Sequence, residues 1–181
     1  MRNSALVSFV VVTLVACATY HDPLPNAYSG PKAKVLDSVS NYNGTKANYF
    51  FLYKYNGTSI RQTYDVSVDY SRGNGFTLLP PEIVARDVPA EEGRYYLIGR
   101  THYAAPVQEL IHGVYMVKGE LSFTPEAGAT YVIRGTLGES LAEVWIENSA
   151  TGKIASKKLS TSTPKAITSA HETEATSSTA P

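Results

Sequence analysis

Between Lys32 and Leu159 the apolar residues recur with a period of two, in short runs broken by Asn-Gly, Pro and Gly. This alternation constrains the fold more than any other feature, because successive side chains of a strand point to opposite faces of a sheet. From Gly113 to Phe123, one face collects Tyr115, Val117, Leu121 and Phe123. The other carries Lys118, Glu120 and Ser122, continuing the parity of His112. Ala142, Val144 and Ile146 alternate in the same way with Glu143, Trp145 and Glu147. The run Asn48–Tyr55 is aromatic-rich and meets Asn56-Gly57, the strongest short hairpin signal, after which Thr58 to Tyr64 is expected to return. Tyr131-Val132-Ile133 and Lys153 to Lys158, behind the Thr151-Gly152 turn, add further strands. Short strands at this spacing predict an all-β fold, a β-sandwich or a barrel, with a single antiparallel β-sandwich as the leading reading.

Helix is scarce. Pro106 to Gly113 spaces Val107, Leu110 and Ile111 for one or two helical turns, with an irregular loop as the alternative. Pro80-Pro81 is placed to open a single turn. Two segments share a turn-then-strand device. Pro89 to Gly93 leads to Tyr96-Leu97-Ile98, and Pro125 to Gly128 leads to Tyr131-Val132-Ile133, with the tyrosine expected to enter the core. Over Pro89 to Lys158 this device resembles the turn-then-strand segments of immunoglobulin-like and transthyretin-like domains. The resemblance implies an immunoglobulin-like sandwich and no particular activity.

The front end reads differently. Arg2 precedes a run from Ala5 to Ala16 interrupted only by Ser8 and Thr13. A basic start, a short apolar stretch and small residues before a cut are the parts of a secretory signal. Twelve such residues would span only about 18 Å as a helix, against roughly 30 Å of hydrocarbon. Leu14-Val15-Ala16-Cys17 resembles the lipobox of bacterial lipoproteins. That resemblance implies a diacylglycerol on the Cys17 thiol, removal of residues 1–16 as a signal peptide, and anchoring to a membrane through the lipid. In such proteins an aspartate after the cysteine argues for inner-membrane retention. Ala18 therefore implies the outer membrane, with the domain facing the periplasm or the surface. The alternative is an ordinary signal cut at Ala16-Cys17-Ala18.

Cys17 is the only cysteine, so no intramolecular disulfide is available and the fold must rest on its own core. Tyrosine is the outlier in composition, at 13 residues against 5 phenylalanines. Loss of Arg2 from 16 basic residues leaves fifteen against 16 acidic ones. A chain so nearly neutral lacks the basic footprint of a nucleic-acid binder. Ala18 to Pro31 has three prolines and no periodicity, and is expected to act with lipidated Cys17 as a tether reaching at most roughly 45 Å. Residues 32–159 form the sandwich. Residues 160–181, rich in Ser, Thr and Ala, are expected to be disordered.

Catalytic signatures are missing. No G-x-S-x-G or H-E-x-x-H segment occurs, and the single cysteine is assigned to lipid. The expectation is a non-catalytic protein without a cofactor. His102, Glu109 and His112 are the nearest approach to a metal set but lack diagnostic spacing. Asp65-Val66-Ser67-Val68-Asp69 reads as a solvated strand face rather than a cation loop. Asn43-Gly44-Thr45 and Asn56-Gly57-Thr58 match the N-glycosylation pattern and are read as turns. Trp145 between Glu143 and Glu147 is a candidate ligand surface of the kind seen in sugar binding, or else a covered strand face. The loop Arg72 to Phe76 is a candidate inhibitory loop and, with no following helix, not a phosphate cradle. The expected role is binding or scaffolding in the cell envelope, through a protein partner or a glycan, with glycan binding and inhibition of an envelope hydrolase as alternatives.

Overall fold

The structure, a computed structural model, describes residues 20–162 and the backbone of 165–166. The signal segment, Cys17 and residues 167–181 lie outside the described residues.

Eleven strands and two short helices are present among these residues. The strands are β1 (Lys32–Leu36), β2 (Ser38–Ser40), β3 (Lys46–Tyr55), β4 (Thr58–Ser59), β5 (Ala85–Pro89), β6 (Gly93–Tyr103), β7 (Val114–Phe123), β8 (Thr130–Leu137), β9 (Ala142–Asn148), β10 (Leu159–Thr161) and β11 (Lys165–Ala166). Helix α1 spans Thr63–Ser71 and α2 spans Pro106–His112. One sheet has the order β10-β9-β8-β1-β5, the other β11-β7-β6-β3-β2, with β4 added to β3. The fold is therefore all-β with two sheets, as the alternation predicts. One ladder departs from the antiparallel expectation: β1 runs parallel to β8, pairing Val35 with Tyr131.

The main core lies between the sheets. Val35, Leu52, Val88, Tyr95, Leu97, Ile133, Ala142, Val144 and Ile146 are fully buried in it. Aromatic rings form its far edge: Tyr55 meets Tyr95 at 5.2 Å, Tyr95 meets Phe123 at 5.5 Å, and Phe123 meets Tyr131 at 5.1 Å, all edge to face. The Tyr131 hydroxyl accepts the Glu126 N–H at 3.0 Å, which ties the Pro125 turn to the strand it precedes. The first copy of that device works one residue earlier than expected. Tyr95, not Tyr96, enters the core, because Gly93, Tyr95, Leu97 and Gly99 share the inward parity of β6. Gly135 of β8 sits where a Cβ would run into the Phe50 ring and the Glu143 carbonyl, so only glycine lets the sheets close there.

The second sheet is covered on both faces over β3 and the adjoining part of β6, while the outward residues Lys118, Glu120 and Ser122 of β7 are exposed. Its outer side holds a smaller core of Ala47, Tyr49, Phe51 and Leu78, with Tyr64 and Ile98 against it. This explains why β3 is a nearly continuous apolar run rather than an alternating one.

Helix α1 provides the outer cover, and it corrects the strand reading of Asp65 to Asp69. The return strand after Asn56-Gly57 stops at Ser59, and the chain turns into a helix at Thr63. Thr63 N–H is bonded to the Asp37 carboxylate at 2.8 Å, and Gln62 Nε2 donates to Asp65 at 2.8 Å. Thr63 and Ser67, one helical turn apart, are buried, while Tyr64 stacks on Phe51 at 5.6 Å. Packing and an acceptor supplied from elsewhere in the chain override local strand propensity here. The Pro80-Pro81 segment makes no helix. Helix α2 forms as the Val107, Leu110 and Ile111 spacing predicts, and Gly113 ends it with a φ of 73°.

Both domain boundaries also move. Tyr20 Oη donates to Asp65 at 2.8 Å, and His21 bridges to Ile60 in parallel, with its N–H on the Ser59 carbonyl at 3.3 Å. The expected free tether of Ala18 to Pro31 is thus docked from Tyr20 onward. At the other end, Leu159–Thr161 pairs with β9 and Lys165–Ala166 with β7, so the sheets extend past the expected boundary at residue 160.

Candidate functional site

The chain passes from one sheet to the other between Leu36 and Ser38, which leaves Asp37 at the corner. Strand β2 starts only at Ser38, so Leu52 of β3 has no ladder carbonyl opposite its N–H, and Asp37 Oδ1 takes it at 3.1 Å. Asp37 Oδ2 accepts from Thr63, and Arg86 of β5 binds both oxygens at 2.7 Å. The guanidinium also donates to the Arg61 carbonyl at 3.2 Å. The side chains are 0% and 7% exposed, so four elements converge on one buried, hydrogen-bonded ion pair. Ser38 adds a cross-sheet bond to the Ile133 carbonyl.

Arg86 forms part of the wall of an open groove of about 690 Å³. One bank is Tyr20 to Leu24 and the other Glu82 to Asp87, with Lys34, Ile60 and Arg61 completing the lining. Among the described strands nothing pairs with the outer edge of β5, which borders this groove. Since Asp37 N–H bonds to the Val84 carbonyl and Ala90 N–H to the Pro31 carbonyl, even-numbered residues face β1. The backbone groups of Ala85 and Asp87 point to the open side. Asp87 is held by Lys32 at 2.7 Å, which lowers its pKa. The Tyr20 hydroxyl, bonded to Asp65, is raised to about 12. An open strand edge beside a groove with apolar Leu24 and Ile83 can accept an extended polypeptide segment by adding a strand.

A second polar cluster lies beneath α1. The Arg100 guanidinium sits 4.6 Å from the Tyr64 ring centroid, and His102 packs edge-on to Tyr64 at 5.5 Å. Burial, aided by Arg100, pushes the His102 pKa down to about 4. Burial raises Tyr49 to about 12. His102 Nδ1 lies 3.5 Å from a Glu109 carboxylate oxygen. His112 is not brought to them: it stacks on Tyr103, the opposite-facing neighbour of His102, at 5.8 Å. Among the described residues no group of three or more His, Cys, Asp or Glu is placed to hold a metal ion.

Trp145, Glu143 and Glu147 share the outer face of β9, as their alternation predicts. The Trp145 ring is half-buried, with the Lys158 amine 4.6 Å from its centroid. Lys158 also bonds Glu143 at 2.9 Å, and Arg134 approaches Glu147 at 3.6 Å. The carboxylates are thus engaged by cations of neighbouring segments. In the 72–76 loop, Gly73 and Gly75 have positive φ and Phe76 is 72% exposed.

Sequence reasoning missed Asp37, Arg86 and the groove. The available signal was a lone acid within Val35-Leu36-Asp37-Ser38-Val39, while nothing in the sequence marked Arg86 as its partner. Charges inside such runs are buried only when paired.

No protein family, no curated protein and no solved structure matches the chain.

Proposed function

We propose that the protein is an envelope lipoprotein anchored through lipid on Cys17, with a non-catalytic binding or scaffolding role. The observation that carries this reading is the run Leu14-Val15-Ala16-Cys17, with the chain's single cysteine, followed after Ala18 and Thr19 by the first docked residue, Tyr20. A second acyl chain makes such an anchor stable, at about 0.8 kcal/mol per buried methylene. Ala18 supports an outer-membrane destination. We read the two-sheet fold as immunoglobulin-like, a reading supported by facing sheets with the core between them. No helix among the described residues is long and apolar enough to cross a membrane.

The binding role is assigned to the groove along β5. The test has two parts. Intact mass of the mature protein should show acyl chains at Cys17, and Cys17→Ala should abolish them and release the protein from membranes. A photo-crosslinking residue at Ala85 should capture one envelope protein, and capture should fall when Ile83→Asp is introduced. Membrane retention of the parent with no added mass at Cys17 would defeat the anchoring reading. An inhibitor reading draws on the exposed Phe76 and predicts an envelope hydrolase recovered on the protein and lost with Phe76→Ser. Glycan binding on Trp145 is less supported, because Lys158 and Glu143 already occupy the ring's surroundings.

A further inference from the structure

The docked N-terminal segment fixes more than a boundary. Cys17 and Tyr20 are separated by Ala18 and Thr19 alone, so their Cα atoms are at most about 11 Å apart even when fully extended. The head-group layer of one leaflet is itself roughly 6 Å thick. An acylated Cys17 therefore leaves almost no chain with which the domain could stand away from the bilayer.

Tyr20 is held by Asp65 of α1 and, through His21, by Ser59 of β4. It lies on the rim of the groove with Ile83, and the two are 46% and 43% exposed. β4 pairs with the Lys54–Tyr55 end of β3. The opposite end of β3 pairs Lys46 with Tyr103, just before α2. Eight residue steps of strand put Tyr103, from which the chain leads into α2, about 26 Å from β4 along this axis. The sandwich thus has an anchored end and a far end.

We infer that the groove end of the domain, with Tyr20 and Ile83 on its rim, rests against the phospholipid surface, while α2 points away from it. This rests on the lipoprotein reading and specifies its geometry. The partner of the rim is the bilayer's head groups and upper acyl chains. Tyr20 suits that position, with an apolar ring and a polar hydroxyl at a wet boundary. The groove then opens at head-group level, so a polypeptide entering it along β5 comes from the same membrane face.

The test uses the full-length lipidated protein, in which acylation blocks Cys17 and leaves an introduced cysteine free for labelling. Ile83→Cys and Leu110→Cys are each given a fluorophore and reconstituted into phosphatidylethanolamine–phosphatidylglycerol vesicles containing head-group spin-labelled lipid. Quenching should be several-fold stronger at position 83 than at position 110. A twelve-residue Gly/Ser insertion between Thr19 and Tyr20 should bring the position 83 signal down to that of position 110. Equal quenching at the two sites, or an insertion without effect, overturns the inference. Mass analysis of Cys17 in the same samples separates the two failures. Acylated protein with equal quenching sinks only this orientation, and unacylated protein sinks the anchoring reading itself.

Discussion

The Arg86 guanidinium grips the Asp37 carboxylate through two bonds of 2.7 Å, at the corner where the chain changes sheets. The pair is out of water, and the carboxylate also receives the backbone N–H groups of Leu52 and Thr63. Removing one partner strands the other charge. Arg86→Ala is expected to destabilise the protein by about 3–5 kcal/mol. Asp37→Ala should cost at least as much, because two buried N–H donors also lose their acceptor. Chemical denaturation of both variants and of Arg86→Ala/Asp37→Ala measures this. The double variant should be less damaged than the sum of the singles, and strict additivity would show that the pair is not coupled.

Acid stability should report His102. Its pKa falls from 6.5 to about 4 on folding, so the unfolded chain binds a proton more readily. Stability is then full above pH 6.5 and declines as pH drops toward 4. The loss is on the order of 3 kcal/mol at most, and less to the extent that Glu109 at 3.5 Å compensates the charge. Arg100 opposes protonation from the same strand. Urea midpoints from pH 7 to pH 4 should fall in the parent and flatten over that window in His102→Phe.

Gly135→Ala tests how closely the sheets approach. The added methyl meets the Phe50 ring and the Glu143 backbone, and backbone cannot yield as a side chain can. A loss of about 1–3 kcal/mol is expected from overpacking. Phe50→Leu in the Gly135→Ala background should recover part of it, read as a melting temperature between the single variant and the parent.

Lys158→Ala should uncover Trp145. The lost cation–ring contact and partly exposed ion pair contribute about 1 kcal/mol together, so the melting temperature should move little. Iodide quenching of tryptophan fluorescence should rise clearly. Trp145 is the chain's only tryptophan, so the signal has one source. Unchanged quenching would mean that another segment shields the ring.

Much of the β architecture was legible because it is written locally. The Asn56-Gly57 turn appears with φ of 48° and 84° at its two residues, as a primed hairpin turn requires. Ala142, Val144 and Ile146 face the core and Trp145 faces outward, as their alternation states. The α1 segment misled for a physical reason. Its alternating Asp and Val fit a strand face, and only the Asp37 acceptor and the apolar bed of Tyr49 and Phe51 make a helix the better solution. The tether was misjudged similarly, since proline content says nothing about Asp65 waiting for the Tyr20 hydroxyl.

By itself, the sequence determined that the chain would form short strands packed without disulfides, because period, turn chemistry and a single cysteine are properties of neighbours along the chain. The tertiary structure alone decided that β1 lies parallel to β8, that Asp37 meets Arg86, and that Tyr20 seals one bank of a groove. Each of these joins residues distant in sequence. The first two depend on excluded water, and water is excluded only after the sheets have closed.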